Sequence, residues 1–324
     1  MNVALIGSNF ALKGYLPVIK KIQQLKLKIL CSRNIFKLNK IRSKFKNVTL
    51  ESNWKKIFIK DIDLIILAVP PKIQNKILNY NLKFRKKILF EKPISQNLIS
   101  SQKIVKSLKR KRIKTDINLT FLNHELFHKT KEIIRSKKLG KVISYEIFWN
   151  FRSFDLDNKI KSWKTMEEQG GGIKNIFLTH VFSYCEFLFG RTKIIKYDFK
   201  ISNFKKIKYK NKINCNLKNE NGVKGKILLF TKKKGHQNHK ILIKCKKGHI
   251  QLFTKSKDWT KNFILKTYNN QSETKKIIYE KSHNKFKDGR SNQIFTMIKN
   301  FLKKSNYSNI DYCLNAEILN KTIN

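Results

Sequence analysis

An α/β fold in two parts follows from three observations on the 324-residue chain. Strand-like and helix-like segments alternate over its first third. A series of β-rich runs with no helical pattern between them fills much of the remainder. The stretch VALIGSNFALKGYLP, at residues 3–17, carries an apolar strand through a single glycine into a helix. Alternation implies a doubly wound parallel sheet, and uninterrupted strands imply an α+β region with a large, mostly antiparallel sheet. The rhythm changes near residue 118, which sets the expected domains at 1–118 and 119–324.

Taken in order, the apolar tetrad at 3–6 is the first strand, 13–25 the first helix and 28–31 the second strand. DLIILAV at 63–69 reads as a buried strand, being a short continuous apolar run. PPKIQNKILNYNL follows as a helix opened by proline, whose fixed φ and missing N–H suit a first turn. KKILFEKP is a short strand, 99–109 a helix, and RIKTDINLTF closes the first part. Beyond it come a helix at 125–136, the long strand in LGKVISYEIFWN, and GGGIKNIFLTHVFSYCEFLFG, a glycine-led helix stopped by Gly190. IIKYDFKIS, KIKYKNKINCNL, KGKILLFTK, KILIKC, HIQLFT and NFILKTY are the strands of the second sheet. Helices near 290–304 and 313–322 close the chain.

Composition narrows the class. With 40% hydrophobic and 29% charged residues the chain has an ordinary globular balance. No apolar run is long enough to span a bilayer, and strand and turn begin where a signal peptide would lie, so a cytoplasmic protein with no membrane partner is expected. The five cysteines are scattered and odd in number, without a C-x-x-C pair, which argues for reduced, mostly buried thiols and no metal. The charge is unusual: 72 Lys+Arg against 21 Asp+Glu gives a formal net of +51. Such a field attracts polyanions. The lysines are nevertheless spread along the whole chain, accompanied by excess Ile, Asn and Phe, residues that share A/T-rich codons. Without a localised basic patch or motif, no specific nucleic-acid partner is expected.

In a G-x-G-x-x-G turn the first glycine makes the tight bend, the second admits the pyrophosphate, and the third allows close helix–strand packing. Here those positions hold Gly7, Asn9 and Leu12. Asn9 tolerates the left-handed conformation, and Ala11 is small enough for close packing. Two readings of the stretch stand: a dinucleotide turn built from Gly7, Ser8, Asn9 and Phe10, or a strand–turn–helix capped by Ser8 or Asn9 with no ligand. At the end of the second strand an NAD site carries an acid for the ribose diol. This chain has Ser32 and Arg33, a hydroxyl and a guanidinium that suit a 2′-phosphate and favour NADP(H) over NAD(H). The plainer reading of that pair is an exposed loop in a basic protein.

Several stretches, in order, make the chain resemble the Gfo/Idh/MocA family of nicotinamide-dependent oxidoreductases. IGSNFALKGYLP resembles the family's opening, with Tyr15-Leu16-Pro17 in place of its HLP. AVPP, with Ala68, Val69 and Pro70, resembles the turn after the third Rossmann strand that skirts the cofactor. Glu91-Lys92-Pro93 matches the E-K-P signature. SKKLGKVISYEIFW is similar to the start of the family's second domain, and GGGIKNIFLTHVFSYCEFLFG to its helix carrying an active-site histidine. The resemblance implies an N-terminal Rossmann domain in which Gly7, Ser8, Asn9, Phe10, Ser32, Arg33, Ala68, Val69, Pro70, Glu91 and Lys92 bind the cofactor. It implies Lys92 as the residue that positions nicotinamide and substrate hydroxyl, and His180 as general acid/base. The substrate is a small sugar, sugar derivative or polyol, and the second domain's sheet is the expected surface for homo-oligomers. Outside the family comparison, a lone histidine on an amphipathic helix reads as packed or capped, and Lys92 as one lysine among many.

Two departures stand out. Many members place an aspartate four residues before the histidine and another three after it. This chain has Ile176 and Ser183 there, with Asn175 the nearest polar substitute. An amide can hydrogen-bond a substrate but cannot move its proton, so a non-catalytic member that binds nucleotide or sugar as a sensor or assembly partner is the alternative. His124-Glu125-Leu126-Phe127-His128 fits H-E-x-x-H, the helix motif of zinc hydrolases, but no third ligand is signalled. His124 is better read as a substrate contact, as are Asn175 and Trp163, the latter just before the glycine run. No role is assigned to His236, His239, His249 or His283.

Overall fold

The computed structural model describes residues 1–40, 42–45, 47–158, 160–204, 207–231, 237–281, 286–303 and 308–323. The chain forms two compact units, Met1–Leu119 with Lys285–Leu314, and Thr120–Asn284 with Asn315–Asn324.

A strand apolar on both faces needs helices on both sides of its sheet, and the first unit meets that need. β1 (Asn2–Ile6), β2 (Lys26–Cys31), β3 (Thr49–Glu51), β4 (Leu64–Leu67), β5 (Lys87–Glu91) and β6 (Thr115–Asn118) form a six-stranded parallel sheet. Its order is β3-β2-β1-β4-β5-β6. Every residue of β4 is buried, as are Val3, Ala4, Leu5 and Ile6 of β1. The winding reverses between β1 and β4, where sheets of this kind open a ligand crevice at the carboxyl ends of the strands. The connections contain α1 (Leu16–Lys21), α2 (Ile35–Asn39), α3 (Pro71–Phe84) and α4 (Leu98–Arg110). Pro71 opens α3, as its sequence predicts, and the Asn97 side chain caps α4 by accepting from Ser100 N–H.

The second unit holds α5 (Glu125–Ser136), β7 (Val142–Phe151), α6 (Phe154–Asp157) and α7 (Thr179–Phe189), then β8 (Thr192–Phe204), β9 (Ile207–Asn219), β10 (Lys224–Thr231), β11 (Asn238–Cys245), β12 (Gly248–Thr254), β13 (Ile264–Asn269) and β14 (Lys275–Tyr279). Its eight-stranded sheet runs β14-β13-β12-β11-β7-β10-β9-β8, antiparallel except for the β7–β10 pair. In β11 and β12 buried residues alternate with more exposed ones, the signature of a sheet covered on one face. The expected α/β class, with a Rossmann sheet and a second, mostly antiparallel one, is observed.

α8 (Arg290–Lys303) and α9 (Ile310–Thr322) end the chain. Ile294, Met297, Ile298 and Phe301 of α8 join Val3, Leu5, Tyr15 and Ile19 in one buried cluster. Each such side chain contributes about 1.5–3 kcal/mol when taken from water.

Local details differ from the sequence reading. The first helix spans neither 13–25 nor a single helix type. A π-helical turn occupies Ala11–Tyr15, and α1 ends at Lys21 because Ile22 is extended (φ −93°, ψ 105°). Ile22 and Leu25, which continue the apolar periodicity, are buried from the turn instead. β3 and β14 were not expected. β3 has three residues, and β14 is an edge strand whose exposed lysines and isoleucines lack the alternation of a half-buried strand. All five cysteines are free and buried. Among the described residues no helix is long and apolar enough to cross a membrane.

Candidate active site

In the first unit the candidate residues gather at neighbouring strand ends. β1 runs into Gly7, whose φ of +132° is one that side chains with a Cβ rarely adopt. A Cβ there would lie 2.4 Å from the Ala68 carbonyl oxygen. Gly7 N–H donates to Cys31 O at 2.8 Å, Ser32 N–H to Glu51 O at 3.0 Å, and Ala68 N–H to Ile6 O at 2.9 Å. Gly7, Ser32 and Ala68 therefore continue β1, β2 and β4 at the sheet's carboxyl edge, with Val69 and Pro70 half-buried beyond. Asn9 does not take the left-handed conformation the sequence reading gave it, since Gly7 alone in the turn has positive φ. Its carbonyl instead accepts from Lys13 N–H at 3.2 Å, so the helix winds up at once. Ser32 Oγ accepts from Asn34 N–H at 3.2 Å, and Arg33 is exposed beside it.

The Glu91-Lys92-Pro93 corner ends β5, and its Lys92–Pro93 peptide bond is cis. Glu91 Oε1 accepts from Tyr15 Oη at 2.6 Å and from Asn118 Nδ2 at 2.8 Å. Burial pushes the Glu91 carboxyl upward, opposed by these bonds and by the charges of Lys92 and Arg290. The Tyr15 hydroxyl is pushed well above its usual range by burial and by Glu91. Beneath the corner, the buried Gln74 side chain donates to the carbonyls of Glu91 (2.6 Å), Pro93 (2.9 Å) and Ile94 (3.1 Å) and accepts from Glu91 N–H (3.1 Å). Glu91 thus acts as a strut for the corner, and Gln74 fixes the backbone from which Lys92 projects. The sequence reading missed Gln74, Tyr15 and Asn118. It also missed Arg290, whose guanidinium lies 4.1 Å from the Phe10 ring centroid while pairing with Asp288 at 2.6 Å.

In the second unit a second π-helical turn, Lys174–Leu178, leads into α7 and His180. Such turns recur at functional sites. His180 is 4% exposed, edge-on to Phe121 (5.6 Å) and tilted against Trp259 (5.8 Å). Phe121 also touches His239, Tyr184, Trp149 and Phe263, forming a core of rings. His239 stacks on Trp149 at 4.4 Å and meets Tyr184 Oη at 3.0 Å. Burial, with His124 adding to it, pushes His239 down to about 3, so its imidazole is neutral near neutral pH. His124 caps α5, its Nδ1 accepting from Leu126 N–H at 3.2 Å, and its Nε2 lies 3.5 Å from Glu280 Oε1. Burial would raise Glu280, but the His124 contact and backbone N–H donors outweigh it and hold the carboxyl low.

His124 and His180 therefore share one ring cluster, through Phe121, Phe127 and Phe263. Asn175 donates to Gly171 O at 2.9 Å from the π-helical turn, and Ser183 Oγ donates to Thr179 O at 2.7 Å. Trp163 opens a short 3-10 turn capped by Ser162. A Cβ on Gly171 would lie 2.0 Å from its carbonyl oxygen. His128 Nε2 bonds Leu122 O at 2.8 Å, so the H-E-x-x-H pair is engaged in helix packing. Among the described residues no three His, Cys, Asp or Glu side chains gather as a metal site. His249 lies against Tyr268, and His236 and His283 lie outside the described residues.

The strand order and the Gly7 turn define the first unit as a doubly wound nucleotide-binding fold. Residues 1–118 match the oxidoreductase family with an NAD-binding Rossmann fold, and residues 127–251 match the GFO/IDH/MocA C-terminal domain. The chain belongs to the Gfo/Idh/MocA family of oxidoreductases.

An uncharacterized oxidoreductase of Schizosaccharomyces pombe is 25% identical over 153 residues, 47% of this chain and 41% of that protein. The dTDP-3,4-didehydro-2,6-dideoxy-alpha-D-glucose 3-reductase of Saccharopolyspora spinosa is 20% identical over 143 residues, 44% of this chain and 43% of that enzyme. The chain thus spans less than half the length of these curated relatives. Among solved structures, a levoglucosan dehydrogenase in complex with NADH and levoglucosan has a TM-score of 0.82 at 15% identity, covering 100% of this chain and 96% of that one. A 3-ketoreductase from Actinomadura kijaniata, in complex with NADP and TDP-benzene, has a TM-score of 0.80 at 12% identity, covering 99% and 96%. At those identities the likeness is one of fold.

Proposed function

We propose that the chain is an NAD(P)-dependent oxidoreductase that interconverts a carbinol and a carbonyl on a sugar, sugar derivative or polyol. The observation that carries this is the Gly7 turn at the sheet's reversal point, where a Cβ would strike Ala68 O and only bare backbone fits. That cradle suits a dinucleotide, with Gly7, Ser8, Asn9, Phe10, Ala68, Val69 and Pro70 around it and the Glu91 corner presenting Lys92. The chemistry that a nicotinamide held by these residues would supply is hydride transfer to or from the substrate carbon. Lys92 holds and polarises the substrate oxygen, and His180 takes the hydroxyl proton as the carbinol is oxidised, or returns it on reduction. His124, Asn175 and Trp163 contribute substrate contacts. The first unit carries the cofactor, and the second shapes the substrate pocket.

Ser32 and the exposed Arg33, at the end of β2, support NADP(H) over NAD(H). Exposed Ile195, Tyr197 and Ile201 on β8, an edge strand of the second unit's sheet, support self-association through that sheet. Five free, buried thiols suit a cytoplasmic setting. A second reading, a family member that binds nucleotide or sugar without turnover, is favoured by Ile176 and Ser183 where carboxylates are common.

Calorimetry with NADPH and NADH, at salt high enough to screen the +51 charge, tests the reading. Saturable NADPH binding, tighter than NADH and not matched by 2′-AMP or inorganic polyphosphate, is the expected result. Absence of binding by either dinucleotide would remove the oxidoreductase assignment.

A further inference from the structure

We propose that Trp259 is a stacking platform for the sugar ring of the substrate, an inference that rests on the oxidoreductase reading above. Trp259 is half-buried, whereas the residues its ring touches are closed to solvent: Phe121 and Trp149 are 0% exposed and His180 4%. The indole centroid lies 5.5 Å from both Phe121 and Trp149 and 5.8 Å from His180. Trp259 is therefore an accessible aromatic side chain beside the histidine assigned to proton transfer.

The loop that carries it is held on both sides. Thr254 Oγ1 donates to Lys261 O at 2.7 Å and accepts from Ser256 N–H at 3.1 Å, closing the loop at its base. Ser256 Oγ accepts from Asp258 N–H at 3.2 Å. Asp258 Oδ1 accepts from Thr260 N–H at 3.0 Å and Thr260 Oγ1 at 2.6 Å, spanning Trp259 itself. Gln237 Nε2 donates to Lys257 O at 2.6 Å, tying the loop to the start of β11. That network fixes a half-buried tryptophan in place beside His180. Small-ligand sites are lined by aromatic surface with a few placed polar groups. A pyranose has that complement, an apolar C–H face for the indole and hydroxyls for a neighbouring imidazole.

The test is to titrate levoglucosan, D-glucose and dTDP into the full chain, with and without saturating NADPH, reading tryptophan emission and heat. The expected result is saturable quenching by levoglucosan or glucose. Trp259→Ala should abolish that quenching and weaken sugar binding roughly tenfold, while Trp259→Phe restores affinity to within about threefold. NADPH affinity should not change in either variant. Trp259→Phe keeps a ring against Phe121 and Trp149 and should leave Tm close to wild type. Lost sugar affinity in Trp259→Ala and its return in Trp259→Phe then separate a platform from a packing residue. Equal sugar affinity in Trp259→Ala would overturn the proposal. So would the absence of any sugar response while NADPH binds, or a response to dTDP alone. Failure of NADPH to bind wild-type protein is a separate result, and it strikes the cofactor reading.

Discussion

Glu91 in the first unit and His180 in the second are both titratable groups among the candidate functional residues, yet their surroundings differ. Glu91 is wired by hydrogen bonds from Tyr15 and Asn118, with Gln74 clamping its backbone. His180 lies among rings, with Phe121 and Trp259 beside it and His239 stacked on Trp149 nearby. The first arrangement fixes a position by directional bonds. The second lowers the local dielectric and shapes a surface. The first arrangement suits the proposed presentation of Lys92, and the second the proposed grip on a sugar ring.

Under the proposed function, changes at Lys92 in the first unit and His180 in the second give the largest effects. Lys92→Ala and His180→Ala should each lower turnover by roughly 10²–10⁴-fold, measured by nicotinamide absorbance. NADPH affinity of His180→Ala, measured by calorimetry, should stay within about twofold. Full turnover in both variants would remove Lys92 and His180 from the reaction, whereas cofactor binding without turnover in the wild-type protein would assign the chain to the non-catalytic reading.

Next in size is the wiring itself. Tyr15→Phe removes a donor from Glu91 Oε1 and should destabilise the protein by about 1–3 kcal/mol in a denaturant melt. A conservative change to a ring in the second unit, Phe127→Leu, removes no hydrogen bond and should cost about 1 kcal/mol by the same measurement.

Protonation sharpens the contrast further. Burial pushes Asp116 up to about 7, against the N–H groups of Asn309 and Ile117 that bond its Oδ1. The folded state then holds a proton that the unfolded chain has released. The stability this contributes is complete below the ordinary Asp range and is lost as pH rises toward about 7. Asp116→Asn keeps the acceptor and should flatten the dependence of Tm on pH across that window. An unchanged slope would rule out Asp116 as its source. The smallest effect is expected at Arg290. Its stacking on Phe10 predicts that Arg290→Ala weakens NADPH binding about two- to fivefold by calorimetry.

Much of this was legible in the sequence for a physical reason. Parallel strands buried on two faces are continuous apolar runs, so 3–6 and 64–67 announce themselves, and the glycine and proline punctuation between them fixes the order of elements. Lys92 and His180 came from short motifs that the family resemblance supplied. What stayed hidden depends on contacts distant in sequence. Tyr15 reaches Glu91 across 76 positions, and Gln74 reaches it across 17. His239 was set aside as one histidine in a lysine-rich tract. Its partner is Trp149, its cross-strand neighbour in the β11–β7 pair, and no local pattern encodes that register. Asn9 was assigned a left-handed bend because the motif needs one somewhere, but Gly7 takes the positive φ and the helix begins sooner.

The apolar filling of the first unit draws on Ile294, Met297, Ile298 and Phe301, encoded roughly two hundred to three hundred residues after the strand residues they join in one cluster. As the chain leaves the ribosome, β1 to β6 emerge with one flank covered in part by α1 and left incomplete until α8 has been translated. Synthesis order and folding order therefore part company in this molecule. Its first third waits on α8, and a nascent chain halted before that helix would present an incompletely covered flank to chaperones and proteases.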